Sequence, residues 1–117
     1  MTRQQLIDYV AEEYGVLPDN PFKGDFVSAI FRHKSNKKWF AALLQVKRDK
    51  IVKGSDKVVE VLDLKCDPML RPAVLKFKGV YTAYHMNKIH WISVLIEEAD
   101  EKDIKDLLDI SFELTKK

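Results

Sequence analysis

Residues 63–91 read DLKCDPMLRPAVLKFKGVYTAYHMNKIHW and hold the only cysteine, two of the three histidines and two of the four prolines. We expect a strand to end at Cys66, because the residues before it are mostly β-branched or aliphatic. A short helix should begin at Asp67-Pro68, since aspartate is a good N-cap and proline suits the first helical position. Gly79 is the residue at which we expect this helix to end.

The second half of this stretch predicts a β-hairpin. Residues 80–85 and 90–96 are strand-like in composition. Asn87-Lys88 lies between them, where a tight turn would fall. The whole stretch therefore reads as strand, helix and hairpin.

The two ends of the chain each predict a helix. Thr2 followed by Gln5 matches a capping box, and Gly15 supplies a stop, so the first helix should lie between them. Asp100 is placed to cap the last helix. One face of that helix would be formed by Ile104, Leu107, Leu108, Ser111 and Leu114.

Three strands are predicted between the first helix and the central stretch. They cover residues 26–32, 39–46 and 58–64, which are rich in aromatic and aliphatic side chains. The polar run 34–38 looks like a hairpin tip, and 47–57 is too charged to be buried. Phe22, in the loop before the first strand, is expected to anchor that loop to the core.

Composition indicates one globular domain over residues 1–117. The chain is 46% hydrophobic and 32% charged, which is too apolar for disorder and too interrupted for a membrane span. Its N-terminus lacks the basic start and apolar run of a secretory signal. A single cysteine cannot form an internal disulfide, so we expect a cytoplasmic protein, and we expect it to be a monomer.

Charge is unevenly distributed along the chain. Residues 27–57 carry nine basic and two acidic side chains, whereas residues 91–117 carry four basic and eight acidic ones. A basic middle between acidic ends points toward an anionic partner, although exposed strands and loops also collect lysine for solubility.

Several segments resemble the signature of the MmcQ/YjbR-like family. They are Leu64-Lys65-Cys66-Asp67-Pro68, Ala83-Tyr84-His85-Met86-Asn87-Lys88 and His90-Trp91. Upstream similarity to the family lies in Asn20-Pro21-Phe22 and Lys38-Trp39-Phe40-Ala41, and the final helix of the family is similar to residues 107–114. The resemblance covers nearly the whole chain.

The resemblance implies an α+β domain of the CyaY-like, or frataxin-like, class. In that class an antiparallel sheet carries N-terminal, central and C-terminal helices. The family is described as DNA-binding because its fold is similar to the double wing domain of a phage transcription factor. That description is an analogy between folds and transfers no site.

Catalytic and metal sites find little support in the residue pattern. A nucleophile would need Cys66 beside His85 or His90, yet no local protease or transferase signature surrounds the cysteine. The two histidines lie five residues apart near a turn, which is not the spacing of a metal site. We therefore expect no enzyme activity, no metal and no cofactor.

Two candidate binding sites remain. The basic hairpin tips would neutralise the phosphates of double-stranded DNA if both project from one face, through Arg32, Lys34, Lys37, Lys38, Lys47, Arg48, Lys50, Lys53 and Lys57. The turn region would contact a phosphate, a small molecule or a peptide through Tyr84, His85, Asn87, Lys88, His90 and Trp91. DNA binding is the leading interpretation, and a small-molecule or peptide pocket around Tyr84, His85, His90 and Trp91 is the alternative. Both sets could also be structural.

Overall fold

A computed structural model describes all residues of the chain, 1–117. It contains three α-helices and five strands, which confirms the α+β class. In chain order they are α1 Arg3–Tyr14, β1 Ala29–Arg32, β2 Trp39–Lys47, β3 Val58–Lys65, α2 Arg71–Val74, β4 Val80–Thr82, β5 Trp91–Leu95 and α3 Glu101–Leu114, with one 3₁₀ turn at Arg48–Lys50.

The five strands form one antiparallel sheet in the order β1-β2-β3-β5-β4. Because successive side chains of a strand point to opposite faces, each row of paired residues belongs to one face. One face, which we call the helix face, packs against the helices. Its core residues on the strands are Ala29, Phe31, Ala41, Leu43, Leu62, Leu64, Val80, Ile92 and Val94. We call the opposite side the loop face.

Helix α1 begins and ends as the sequence predicts. The Thr2 hydroxyl accepts a hydrogen bond from the Gln5 amide, the Gln5 side chain accepts one from the Thr2 amide, and Gly15 closes the helix in a left-handed conformation. Leu6 and Val10 of α1 are buried in the helix-face core, together with Leu108 of α3. Asp100 occupies the N-cap position of α3, but its side chain makes no capping hydrogen bond.

A β-bulge in β2 decides which aromatic side chain faces which side. Phe31 pairs with Ala41 and Arg32 pairs with Trp39, so Phe40 is an extra residue in β2. Both Phe40 and Ala41 are therefore buried in the helix-face core, and Trp39 lies on the other side of the sheet.

Ser111 of α3 replaces the ladder hydrogen bonds that the bulge removes. Since Ala41 pairs with Leu64, the next ladder positions are Phe40 and Lys65. The buried Ser111 hydroxyl lies between them: it donates to the Phe40 carbonyl at 2.5 Å and accepts from the Lys65 amide at 2.9 Å. One side chain thus satisfies two backbone groups that would otherwise be buried without partners.

The central helix is shorter and begins later than predicted. The Asp67 carboxylate accepts from the Met69 amide in a local turn, and the helix begins only at Arg71, with Pro72 within its first turn. A proline in the first turn needs no amide partner, which explains the late start. Gly79 then turns the chain at φ +78°, where an added Cβ would lie 2.7 Å from the Ala99 nitrogen.

The hairpin turn is also longer than predicted. Strands β4 and β5 pair over only three positions, and residues 83–90 form a loop in place of a tight turn at Asn87-Lys88. The Asn87 side chain accepts from the amides of Ile89 and His90, which holds the chain in a wider turn.

The loop before β1 departs from the prediction too. Strand β1 begins at Ala29 and not at residue 26, because the Asp25 carboxylate binds the amides of Val27 and Ser28. Phe22 does not anchor this loop to the core; it is 41% exposed and packs on Trp39 at the loop face. No helix of the protein combines the length and the apolar composition that crossing a bilayer requires.

Candidate binding site

The loop face carries an unusual row of paired residues across the sheet. Ile30, Ala42, Asp63, Ser93 and Tyr81 are successive cross-strand partners from β1 to β4, so their side chains share this face. The row passes from apolar residues to a buried carboxylate and a buried hydroxyl. This face therefore differs chemically from the helix face, whose buried strand residues are all apolar.

A cavity of about 570 Å³ opens over the apolar end of that row. Its floor comes from β1 and β2, and its walls come from the loops 20–28 and 83–90. The lining residues are Phe22, Asp25, Ser28, Ile30, Trp39, Ala42, Leu44, Gln45, Val46, Tyr84, His85 and Met86. Its size and mostly apolar lining fall within the range of small-molecule sites.

Aromatic side chains form two walls of the cavity. Phe22 and Trp39 meet edge to face with ring centroids 5.9 Å apart, and Trp39 reaches this side because of the bulge at Phe40. Tyr84 and His85 form the second wall, with ring centroids 4.0 Å apart. Phe22 belongs to one loop, Trp39 to β2, and Tyr84 and His85 to a second loop, so these side chains meet at one site only once the sheet has formed.

The second wall is held in place by a hydrogen-bond chain from the sheet. The Tyr84 amide donates to the Ser93 hydroxyl at 2.8 Å, and that hydroxyl donates to the Asp63 carboxylate at 2.5 Å. His85 has φ +65°, a left-handed conformation that a non-glycine residue adopts at a cost. Lys88 donates to the Ala83 carbonyl at 2.6 Å, which closes the loop on itself.

Asp63 is the most unusual polar residue of the fold. Its side chain is fully buried, Oδ1 accepts from Ser93, and Oδ2 has no hydrogen-bond partner. Burial raises the pKa of Asp63 to about 7, although the Ser93 hydrogen bond and the positive charge of Lys88 oppose the rise. At neutral pH this carboxyl group is therefore divided between its charged and its neutral form.

Asp25, on the opposite side of the cavity, is ionised at any physiological pH. Hydrogen bonds from the Ser28 hydroxyl, then from the Ser28 and Val27 amides, lower the pKa of Asp25 to about 2. The same bonds fix the loop that carries Phe22. Asp25 is thus both a structural anchor of the wall and a fixed negative charge at the site.

The structure brings together only part of the residue set predicted at the turn. Tyr84 and His85 line the cavity, and the neighbouring Met86 joins them. The other predicted members lie in or next to the loop without lining the cavity, namely Asn87, Lys88, His90 and Trp91. Asn87 shapes the loop, and the His90 carbonyl accepts from the Cys66 amide.

The basic tips lie at opposite ends of β2. The first tip, residues 33–38, precedes this nine-residue strand and the second, residues 48–57, follows it. At about 3.3 Å per residue the strand separates them by roughly 30 Å. Some predicted cations are already engaged: Arg32 with Asp19 at 3.2 Å, Arg48 with Glu98 at 2.7 Å, and Lys38 with the Lys117 carbonyl. The cations left exposed on or beside the tips are Lys34, Lys37, Lys47, Lys50, Lys53 and Lys57.

Cys66 lies in a poor environment for a nucleophile. It is buried, and burial followed by the nearby Asp67 carboxylate raises the pKa of its thiol. Histidine, cysteine and acidic side chains are nowhere gathered into a group of three or more that could hold a metal ion.

The sequence did not indicate the two carboxylates found in or beside the cavity. Asp63 stands between Leu62 and Leu64 in an otherwise apolar strand, and a carboxylate at such a position was the available signal. Asp25, three residues before Ser28, has the spacing of a side chain that binds local amides. Neither signal indicates by itself which face of the sheet the residue occupies.

Comparison with known proteins identifies close relatives. A model of the YjbR family matches residues 12–114. YyaQ of Bacillus subtilis, an uncharacterised protein, is 36% identical over 117 residues, which are 99% of each chain. A Pseudomonas syringae protein solved by crystallography has a TM-score of 0.94 at 45% identity, covering 98% of this chain and 99% of that one.

A more distant structure shares the architecture in part. A Deinococcus radiodurans protein has a TM-score of 0.58 at 26% identity, covering 87% of this chain and 69% of that one. The family match spans most of the chain, and the Bacillus relative aligns from end to end. The chain therefore belongs to the YjbR family.

Proposed function

We propose that this protein is a non-catalytic binding protein that holds a small molecule in the cavity on its loop face. The observation that carries the proposal is a cavity of about 570 Å³ with an apolar floor and aromatic walls from two separate loops. Pockets of this kind are the default ligand sites of globular proteins.

Conformational cost at the walls supports the proposal. His85 has a left-handed backbone and Phe22 leaves 41% of its surface exposed, and neither feature improves the core. Such costs concentrate at functional sites, where the surrounding structure maintains them. The Cys66 thiol is buried, and burial followed by the nearby Asp67 carboxylate raises its pKa, which favours binding over catalysis.

The two tryptophans allow a direct test. Trp39 lines the cavity and Trp91 does not, so Trp91→Phe leaves a fluorophore at the site and Trp39→Phe leaves one away from it. Both variants would be titrated with a small-molecule library containing neutral aromatic, cationic and anionic compounds. We expect a ligand to change the emission of the Trp91→Phe protein, leave the Trp39→Phe emission unchanged, and raise the melting temperature of the unaltered protein.

Two results would count against the pocket. The first is a library in which no compound at millimolar concentration alters Trp39 emission or melting temperature. The second is a set of ligands that shifts both tryptophans equally, because such ligands would not distinguish the cavity from the rest of the surface.

Duplex DNA binding is the second candidate, favoured by the exposed lysines on and beside the two tips. With roughly 30 Å between the tips, we propose contact through one tip at a time or along a duplex parallel to β2. Anisotropy titration with duplex DNA at about 50 mM and 200 mM salt should give an affinity that falls steeply with salt. Neutralising Lys50, Lys53 and Lys57 together should weaken it. No binding at low salt would remove this candidate.

We also propose the specific fold class, the cellular compartment and the oligomeric state that the sequence predicts. The class is CyaY-like with a double wing character, and support for it comes from helices on a single face of an antiparallel sheet. We place the protein in the cytoplasm, which one unpaired, buried cysteine supports, and we propose that it is a monomer. Sedimentation at micromolar concentration would test the monomer.

A further inference from the structure

Among the residues that line the cavity, the one permanently charged side chain is negative, although the Arg32 guanidinium lies over the Trp39 ring. The chain has 20 lysine and arginine residues, yet none is among the 12 residues that line the cavity. The lining does include the permanently ionised Asp25. Sites for phosphates or carboxylates are built with arginine, lysine or free backbone amides, and the amides nearest to Asp25 are already bound to it.

A second carboxyl group lies beside the floor. Asp63 is the cross-strand partner of Ala42, and Ala42 forms part of the floor. Side chains of such partners stand about 5 Å apart on the same face. The Oδ2 atom of Asp63 is buried and unpartnered, and Asp63 does not line the cavity, so it would act on a bound cation only through its charge and not by contact. Lys88, the charged side chain whose field reaches Asp63, is bound to the Ala83 carbonyl.

The walls suit a cation with an apolar surface. Indole, phenol and phenyl rings attract cations through their negative faces, most strongly for tryptophan. Trp39 already accepts one in this way: the guanidinium carbon of Arg32 lies 5.8 Å from the centroid of its ring. Apart from Gln45, the floor residues are aliphatic, namely Ile30, Ala42, Leu44 and Val46, so a strongly hydrated cation would lose most of its water there without replacement.

From these observations we infer that the ligand of the cavity is a small organic cation of the quaternary ammonium type, held by the aromatic walls and the carboxylate of Asp25. This inference rests on the proposed pocket and names the chemical class of its ligand. A quaternary ammonium group needs no hydrogen-bond donor or acceptor, which matches a lining whose Asp25 oxygens already accept from neighbouring groups.

The test uses three probes of the same shape and different charge. Choline is the cation, 3,3-dimethylbutan-1-ol is its neutral carbon isostere, and 3,3-dimethylbutanoate is the anion. Each would be titrated into the Trp91→Phe protein with Trp39 emission as readout. We expect choline to bind about tenfold more tightly than the alcohol, and the butanoate to bind more weakly than both.

Two variants test which residues cause the preference for choline over the alcohol. Asp25→Asn should reduce the preference for choline over the alcohol several-fold; because Asp25 also anchors its loop, circular dichroism would establish that the variant folds. Trp39→Leu, with binding followed by thermal stabilisation, should remove most of the choline affinity. Asp56→Asn, an exposed carboxylate in the second tip, is the control outside the cavity and should change neither value.

The outcomes separate this inference from the proposed function. If the alcohol or the butanoate binds in the cavity as tightly as choline, the cation inference is overturned while the pocket stands. If the library and all three probes leave Trp39 emission unchanged, the proposed pocket itself fails, and the inference fails with it.

Discussion

The two faces of the sheet differ in how completely they are packed. On the helix face, rows of aliphatic and aromatic residues meet α1 and α3, and side chains such as Leu43, Leu62 and Phe40 are fully buried. On the loop face, two loops cover the same strands incompletely, leaving a cavity and burying the unsatisfied Asp63. Since both faces share the same backbone, stability and binding can be assigned to opposite sides of one sheet.

Two of the destabilising features of the fold lie on the loop side of this division. Unsatisfied polar atoms and left-handed non-glycine residues lower stability by of order 1 to 3 kcal/mol each. Asp63 carries the first cost and His85 the second, and both belong to the loop face or its covering loop; the other two examples are the Arg71 Nε atom in α2 and Lys37 in the first tip. The helix face supplies the stability that offsets them.

Two adjacent leucines in β2 test the difference between the two faces, and they should give the largest effect on stability. Leu43 is buried on the helix face, while Leu44 lines the cavity. We expect Leu43→Ala to lower the free energy of unfolding by about 3 kcal/mol because it leaves a void in a packed core. Leu44→Ala should cost about 1 kcal/mol, since it widens an existing cavity. Urea denaturation measures both, and equal losses would contradict the division into two faces.

The Ser111 bridge gives the next largest effect. Ser111→Ala would leave the Phe40 carbonyl and the Lys65 amide buried without partners. We expect a loss of about 2 kcal/mol and faster hydrogen exchange at the Lys65 amide. Ser35→Ala, in the exposed first tip, is the matched control and should be neutral. A neutral Ser111→Ala would mean that the bulge closes into a regular ladder.

Asp63 is expected to lower stability as pH rises. Its pKa is about 7 in the folded protein and about 4 in the unfolded chain, so the folded state binds the proton more tightly. The stability that protonated Asp63 contributes is fully present below about pH 4 and is lost as pH rises toward about 7. Asp63→Asn should therefore raise the free energy of unfolding by about 1 to 3 kcal/mol at pH 8 and by little at pH 4.

Thermal or urea unfolding of the Asp63→Asn protein between pH 4 and pH 8 measures this effect. Asp56→Asn, an exposed carboxylate in the second tip, is the control and should show no such trend. A gain that does not depend on pH would mean that Asp63 titrates as an ordinary exposed carboxylate.

The sequence predicts the helix face better than the loop face. The Thr2 capping box and strand β3 follow from local signals, and both are confirmed. The bulge at Phe40 could not be predicted, because it depends on Ser111, 71 residues away, to complete the hydrogen bonding. The cavity was missed for the same reason: Phe22 and Tyr84 become neighbours of one site only after the sheet has formed.

The smallest predicted effect comes from the buried titratable group of the helix face. His33 packs against Phe40 and Phe112, and its Nε2 lies 2.7 Å from the Thr115 hydroxyl. Because that hydroxyl donates to the Ser111 carbonyl, Nε2 must be the donor to it. Burial lowers the pKa of His33, and the Phe112 carbonyl partly offsets this.

The sign of this effect is opposite to that of Asp63. The unfolded chain binds the His33 proton more readily than the folded protein, so stability is lost as pH falls below about 6.5. His33→Gln keeps an N–H donor and removes the titration. We expect His33→Gln, combined with Asp63→Asn, to reduce the fall in the free energy of unfolding between pH 6.5 and pH 5. Asp63→Asn is included because it removes the opposite pH dependence. An unchanged decline would assign the acid sensitivity to the surface carboxylates, and the two faces would then not respond to pH in opposite directions.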